Sequence, residues 1–240
     1  MNKPTIISLL ILTLFSCQKN IERFDIANEL RGNTFNMTSI GEKDTLTIEF
    51  KDSTFTVFEY NDRDLPWRIA TFDNKDFLVF DNRIMAIKQN NIDNYVGLLI
   101  SEKDYDIRLE KRKPKWDKEL IFGTWVEEKY FNTDPINILP PPPPPNTEEN
   151  DFEFPPYYVI TKDTIYSNFY YKKSKSKIDI SNLGEFISLN LNSKFDDKET
   201  NWRIKSLNDS IMILDRTITY PHDNSYHSER ERDLKLIKKR

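Results

Sequence analysis

The chain has very little cysteine, histidine or glycine, and these shortages exclude several kinds of active site. Its 240 residues include one cysteine, two histidines and five glycines. A single thiol cannot form an intramolecular disulfide, and so few glycines leave no glycine-rich phosphate loop. Neither a Gly-x-Ser-x-Gly nor a His-Glu-x-x-His motif occurs, and no nucleophile–base pair is visible. We therefore expect a non-enzymatic protein without a cofactor.

A metal site is also not expected. His222 and His227 are the only histidines, and Asp223 lies between them in a polar stretch. Zinc sites need three or four preorganised ligands with supporting groups around them. We interpret the two histidines as part of a solvated loop.

Excess positive charge is missing as well. Acidic residues number 39 against 35 basic ones, so the formal net charge is −4. Nucleic-acid binding requires clustered lysine and arginine, and we expect no nucleic-acid partner. The aromatic fraction of 13% favours packed β-domains over disorder.

The apolar stretch near the N-terminus is too short to cross a bilayer. It runs from Ile6 to Ser16, whereas a membrane-spanning helix needs about 20 residues. Lys3 precedes it and the small Ser16 ends it, a pattern typical of an export signal. An ordinary secretory signal and a buried core helix are the alternatives.

Cys17 follows this stretch directly, and the arrangement resembles the lipobox of bacterial lipoproteins. The resemblance implies that residues 1–16 are a signal peptide, that Cys17 is acylated, and that residues 17–23 are a lipidated tether. No aspartate follows the cysteine, and Gln18-Lys19 resembles the start of the surface-export tag of Bacteroidota lipoproteins. We expect an outer-membrane protein held by its lipid. Its position on the periplasmic face and its position on the cell surface are both alternatives.

Two internal segments match each other and predict a tandem repeat. Residues 67–81 and residues 202–215 each read as a strand led by tryptophan, a polar turn, and a second apolar strand ending in aspartate. Polar turn residues between apolar runs are typical of a β-hairpin. We therefore expect the hairpin led by Trp67 to be equivalent to the one led by Trp202.

The starts and ends of the two halves match too. Glu29–Thr34 parallels Glu119–Trp125, and alternating apolar residues near Leu109 parallel those near Leu236. Apolar and polar residues also alternate at Leu46-Thr47-Ile48-Glu49, which places one strand face on a core and the other in water. This predicts two small antiparallel β-domains, residues 24–112 and 113–240.

Little helix is expected. Asn20 is predicted to cap a short helical turn that ends at Gly32, and a similar turn is predicted from Trp116 to Leu120. A helical lead-in followed by Gly123-Thr124-Trp125 resembles bacterial lipocalin-like lipoproteins. The resemblance implies a structural tryptophan at the closed end of a barrel and names no ligand.

The first half departs from this family pattern. It carries Thr34 where the family has tryptophan. A closed barrel and a half-open sheet are the two alternatives for each half. The first repeat is expected to be too short for eight strands.

Six consecutive prolines, Pro140 to Pro145, lie within the second half. They predict a polyproline II rod of roughly 19 Å, at about 3.1 Å per residue. We interpret the proline-rich segment 132–156 as a stiff loop between the first two strands of the domain. A docking ligand for an aromatic groove is the alternative.

Two further patterns allow a functional and a structural interpretation. Aromatic residues lie beside a lysine cluster, which would suit a sugar or an anionic polymer, although a lysine-rich hairpin tip is commoner. The members are Tyr166, Phe169, Tyr170, Tyr171, Lys172, Lys173, Lys175 and Lys177.

The triplets that begin at Asp44, Asp163 and Asp209 resemble acceptors of bacterial O-glycosylation and also fit hairpin turns.

These observations predict a lipid-anchored, non-enzymatic envelope protein. Its partner would be the membrane through the lipid, together with an unknown protein or a small apolar ligand. An enclosed apolar cavity would favour the ligand. The alternative is a lipoprotein immunity factor that neutralises a secreted toxin.

Overall fold

Two closed antiparallel barrels in tandem make up the fold, each with eight strands. The computed structural model describes residues 25–39, 44–59, 62–80, 82–100, 105–134, 142–143, 152–193, 196–222 and 225–239. The mainly β fold of two small antiparallel domains with little helix is thereby confirmed. None of the helices in these ranges has the length and apolar character needed to cross a membrane.

The first barrel is preceded by a short helix, α1 (Ile26–Leu30). Its strands are β1 (Thr34–Ser39), β2 (Thr45–Phe50), β3 (Thr54–Val57), β4 (Asp62–Phe72), β5 (Lys75–Phe80), β6 (Arg83–Asn91), β7 (Asn94–Leu99) and β8 (Tyr105–Lys111). Each strand pairs with the next, and β1 pairs with β8 to close the barrel. This is the up-and-down arrangement that lipocalins also use.

The second barrel repeats this plan after a 3₁₀ helix (Lys118–Ile121). Its elements are β9 (Gly123–Glu127), α2 (Glu128–Phe131), β10 (Glu153–Ile160), β11 (Thr164–Tyr170), β12 (Lys172–Ile180), β13 (Phe186–Ser193), β14 (Asp196–Leu207), β15 (Ile211–His222) and β16 (Ser225–Lys239). Here β9 pairs with both β10 and β16.

The expectation that the first repeat is too short for eight strands was wrong. The β4–β5 turn consists of Asp73 and Asn74 alone, with φ angles of 47° and 57°. Asparagine and aspartate tolerate this left-handed conformation, which two-residue hairpins of type I′ require. Because such turns use few residues, all eight strands fit between Thr34 and Lys111 and the half-open alternative is excluded.

Large side chains fill the inside of both barrels. The first core contains Phe35, Phe50, Leu78, Met85, Tyr95 and Leu109, each at most 1% exposed. In the second barrel Trp125 and Trp202 are equally buried. An eight-stranded barrel is just wide enough for its side chains to fill, and these large side chains occupy both interiors.

The lead-in helices close one end of each barrel. Asp25 caps α1 by accepting a hydrogen bond from the Asn28 backbone N–H, and Gly32 ends the helix with a φ of 71°. The predicted cap, Asn20, lies outside the described residues. In the second barrel the Trp125 Nε1–H donates to the Ile121 carbonyl of the 3₁₀ helix at 2.7 Å, which gives this buried tryptophan a structural position.

The proposed equivalence of the two tryptophan-led hairpins was wrong. Trp67 lies on β4, the fourth strand of its barrel, whereas Trp202 lies on β14, the sixth strand of the other. A strand-by-strand superposition therefore cannot place one on the other. The starts and ends do correspond, since each barrel begins with a short helical lead-in and its last strand pairs with its first.

The second barrel packs against the outer wall of the first. Thr34, Thr47, Glu49 and Thr56 face outward on β1 to β3, yet each is at most 4% exposed. The sequence pattern places this face in water, but the neighbouring barrel covers it. Strand alternation identifies the outward face and cannot show which part of that face a second domain will bury.

Polar contacts hold the two barrels against each other. The Asn182 backbone N–H donates to the Glu49 carboxylate at 2.7 Å, and the Thr34 hydroxyl donates to it at 3.2 Å. Burial raises the pKa of Glu49 above its usual value. Phe58 stacks on Phe186 with ring centroids 4.2 Å apart, so both polar and aromatic contacts hold the barrels together.

Candidate functional site

A groove of about 680 Å³ runs along the outer wall of the second barrel, across β9, β10 and β16. Its lining residues are Thr124, Phe152, Glu153, Phe154, Pro155, Tyr157, Val159 and Lys239. We call this the aromatic groove. It combines apolar ring surfaces with two opposite charges, a composition suited to holding a ligand that is partly apolar and partly polar.

Aromatic rings from three separate segments meet at one end of this groove. Tyr170 contacts Phe152, Phe154 and Tyr130, with ring centroids 6.0 to 6.4 Å apart. Tyr171 adds a further contact to Phe152 at 5.3 Å. All five rings are half-buried, so each packs against its neighbours and still presents surface to solvent.

Charged groups border the rings. The Lys129 ammonium lies 4.8 Å from the centre of the Tyr130 ring, a favourable cation–π distance. Lys173 forms an ion pair with Glu153 at 2.7 Å, and Tyr157 donates to the same carboxylate at 2.8 Å. The bond from Lys173, followed by that from Tyr157, lowers the pKa of Glu153. This acceptor therefore stays ionised beside the rings.

A buried ionic network lies inside the second barrel, near the ring cluster of the aromatic groove. The Tyr158 hydroxyl donates to Glu127 at 3.0 Å and accepts from the Arg216 guanidinium at 2.6 Å. Arg216 also pairs with Glu127 at 3.3 Å and with Glu231. Burial raises the pKa of Tyr158, so its proton remains in place. The network ties strands β9, β10, β15 and β16 of the second barrel together.

The structure separates the predicted aromatic and lysine cluster into parts. Tyr170 and Tyr171 join the ring cluster, as a sugar-binding interpretation requires. Phe169 instead packs inward against Tyr158, with centroids 5.4 Å apart. Tyr166 lies apart, with the Lys175 ammonium 5.4 Å from its ring. All four lysines of the cluster occupy exposed positions along β12, as a lysine-rich hairpin would.

Sequence reasoning missed three members of the cluster, namely Tyr130, Phe152 and Phe154. A signal was available, because these aromatic residues lie on both sides of the six-proline run, Pro140 to Pro145. Most of that segment lies outside the described residues. Strand β10 begins at Glu153, so Pro155 and Pro156 belong to a strand rather than to the predicted loop.

The other candidate residues do not meet in a second site. Cys17 lies outside the described residues. His222 and His227 lie on the β15–β16 hairpin, and the described part of the chain contains no group of three metal-ligating side chains. Asp163 and Asp209 lie in turns, where each accepts a hydrogen bond from the next hydroxyl residue. These bonds match the structural interpretation of both triplets.

A second open cavity, of about 820 Å³, lies along the first barrel. Its lining includes Ile26, Ile87, Val96, Leu98 and Ile107 together with polar residues of β5 and β6. It opens to solvent, whereas the ligand-binding hypothesis predicts an enclosed apolar cavity.

In comparisons with known proteins, no family model, no curated protein and no solved structure matches this chain.

Proposed function

We propose that the chain is a lipid-anchored, non-enzymatic envelope protein that binds an envelope glycan through the aromatic groove. The observation that carries this proposal is the cluster of five half-buried rings at the end of that groove. The apolar faces of sugar rings pack against aromatic side chains, while their hydroxyl groups need polar partners. Glu153 and Lys239 supply such partners in the same groove.

The packing of the barrels supports an external site over an internal one. Large buried side chains, among them Trp125, Trp202, Phe35 and Phe50, occupy both interiors. A small apolar ligand held inside a barrel would need an enclosed apolar space. The aromatic groove lies on the outer wall and is accessible without rearrangement of either core.

The lipid anchor rests on Cys17 and the stretch before it. An acylated Cys17 would keep both barrels at the membrane surface, where envelope glycans are concentrated. Recognition of a surface polymer by a tethered domain needs only modest affinity, because tethering raises the effective concentration.

Removing rings from the groove is expected to weaken glycan binding. The variants Phe152→Ser and Tyr171→Ser each remove one ring of the cluster without touching either barrel core. We expect each to weaken binding about tenfold, which corresponds to ~1.4 kcal/mol. The measurement is calorimetric titration of the mature chain with purified lipopolysaccharide, capsular polysaccharide and soluble muropeptides.

Tyr166→Ser is the matched control, because Tyr166 is an exposed aromatic residue on the same hairpin outside the cluster. Its affinity should equal that of the unmodified chain. The proposal fails if none of the three glycans binds, or if Tyr166→Ser weakens binding as much as Tyr171→Ser.

A further inference from the structure

A second groove lies where the segment between β8 and the 3₁₀ helix, residues 112–117, meets the second barrel, and its charge is opposite to that of the whole chain. It has a volume of about 510 Å³. Its lining residues are Lys115, Glu185, Arg203, Ile204, Lys205, Asp215, Arg230 and Arg232. We call this the junction groove. Five cations and two carboxylates line it, although the chain has a formal net charge of −4.

The two carboxylates are buried and paired with lining cations, and three positive charges remain in excess. Asp215 is 6% exposed and accepts from Lys205 at 3.1 Å and from Arg230 at 3.0 Å. Glu185 is equally buried and pairs with Lys115 at 3.3 Å and with Arg112. The cations are far more exposed, and the accessible surface of the groove is therefore positive.

Asp215 organises these cations. It lies directly opposite Arg203 in the β14–β15 register, and its carboxylate draws Lys205 and Arg230 to the same point. Each of these two cations has further N–H groups beyond the one that contacts Asp215. Lys205 also donates to the exposed Asp233 at 2.7 Å, so one of its hydrogens and the further N–H groups of Arg230 are left for a ligand.

Arg203 is oriented by an aromatic ring rather than by an acid. Its guanidinium lies 5.8 Å from the centre of Phe186, which itself stacks on Phe58 of the first barrel. Neither Arg203 nor Arg232 has an acidic partner among the described residues. A smaller groove of about 270 Å³, lined by Phe58, Glu59 and the same β14–β16 wall, shares Arg203, Asp215 and Arg230. Both barrels therefore shape this region.

We propose that the junction groove is a binding site for a ligand that carries a phosphate or sulfate group. Guanidinium groups donate paired, charge-assisted hydrogen bonds to the oxygens of such anions. Several cations converging on one position suit a compact anion with several oxygens. This site is separate from the aromatic groove and does not depend on the proposed glycan binding.

The test uses calorimetric titration of the complete mature chain carrying Cys17→Ser, which removes the proposed lipid. The probes are inorganic phosphate, inorganic sulfate, glucose 6-phosphate and phosphatidylcholine vesicles with or without phosphatidic acid. Binding of glucose 6-phosphate alone indicates a phosphorylated sugar, and binding only to the acidic vesicles indicates a lipid headgroup. Arg203→Gln and Arg232→Gln should each weaken binding about tenfold.

Arg68→Gln is the control, because Arg68 is an exposed arginine on the first barrel away from the groove. Its affinity should be unchanged, and titration with soluble muropeptides, which carry no phosphate, should be unaffected by Arg232→Gln. The proposal is overturned if no probe binds, if Arg68→Gln weakens binding equally, or if a polyglutamate peptide binds more tightly than every phosphate probe.

Discussion

Replacing Arg216 with methionine is expected to lower the free energy of unfolding by about 3 kcal/mol, the lower end of the range for breaking a buried ion pair. Glu127 is 2% exposed, and Arg216 is one of its partners inside the barrel. Loss of the guanidinium leaves a carboxylate buried with reduced compensation. Lys129 still pairs with the other oxygen of Glu127 at 2.7 Å, which keeps the effect near that lower end.

Equilibrium urea unfolding of the unmodified chain and of Arg216→Met measures this effect. Arg232→Met provides the control, because Arg232 is exposed on the same barrel and its replacement should change stability by less than about 0.5 kcal/mol. The double variant Glu127→Met with Arg216→Met should recover much of the loss, since no buried charge remains. A loss below ~1 kcal/mol in Arg216→Met would contradict the ionic network.

Acid is expected to destabilise the protein through Asp215. Burial acts to raise the pKa of this carboxyl group. The hydrogen bond from the Asp233 backbone N–H and the ion pairs with Lys205 and Arg230 outweigh burial and lower the pKa to about 2. Because the folded pKa lies below the unfolded value of 3.8, folding favours the ionised form. The contribution is fully present above the unfolded pKa and disappears as pH falls through the folded one.

The expected size of this contribution is about 2 kcal/mol, from 1.36 kcal/mol for each unit of difference between the two pKa values. Asp215→Asn should lose about this amount at neutral pH and should show a flatter dependence of stability between pH 4 and pH 2. Urea unfolding across this range provides the measurement. Asp106→Asn, at an exposed aspartate of the first barrel, should behave like the unmodified chain. Parallel curves for Asp215→Asn and the unmodified chain would show that the ion pairs do not stabilise the fold.

Local chemistry was enough to predict the kind of fold. Alternation of apolar residues identified β-structure, and the polar residues from Asp73 to Asp76 predicted a turn, which the structure places at Asp73 and Asn74. The lead-in turns were also predicted, although Asp25 rather than Asn20 caps the described helix. These features depend on neighbours in sequence, which is why the sequence reveals them.

Strand order could not be read in the same way. The hairpins led by Trp67 and Trp202 follow the same local rule at different positions in their barrels. Similar hairpin sequences therefore do not establish equivalent strands. The buried Glu49 makes the same point for burial, because a contact with Asn182 from the other barrel overrides its outward position on the strand.

The candidate sites were predictable only in part. Tyr170 and Tyr171 were singled out for their aromatic character beside lysines, and both belong to the ring cluster. Phe152 and Tyr130 are distant in sequence from them and reach the cluster only through the barrel topology. The junction groove was missed for the same reason, since Lys115 and Arg203 meet only after the second barrel has closed.

Metabolic labelling with radioactive palmitate tests most directly whether this is a lipid-anchored envelope protein. Cells that produce the full chain are compared with cells that produce Cys17→Ser, and the purified proteins are analysed by autoradiography. The account predicts label on the unmodified protein and none on the variant. Absence of label from the unmodified protein, or equal label on both, would contradict the anchor.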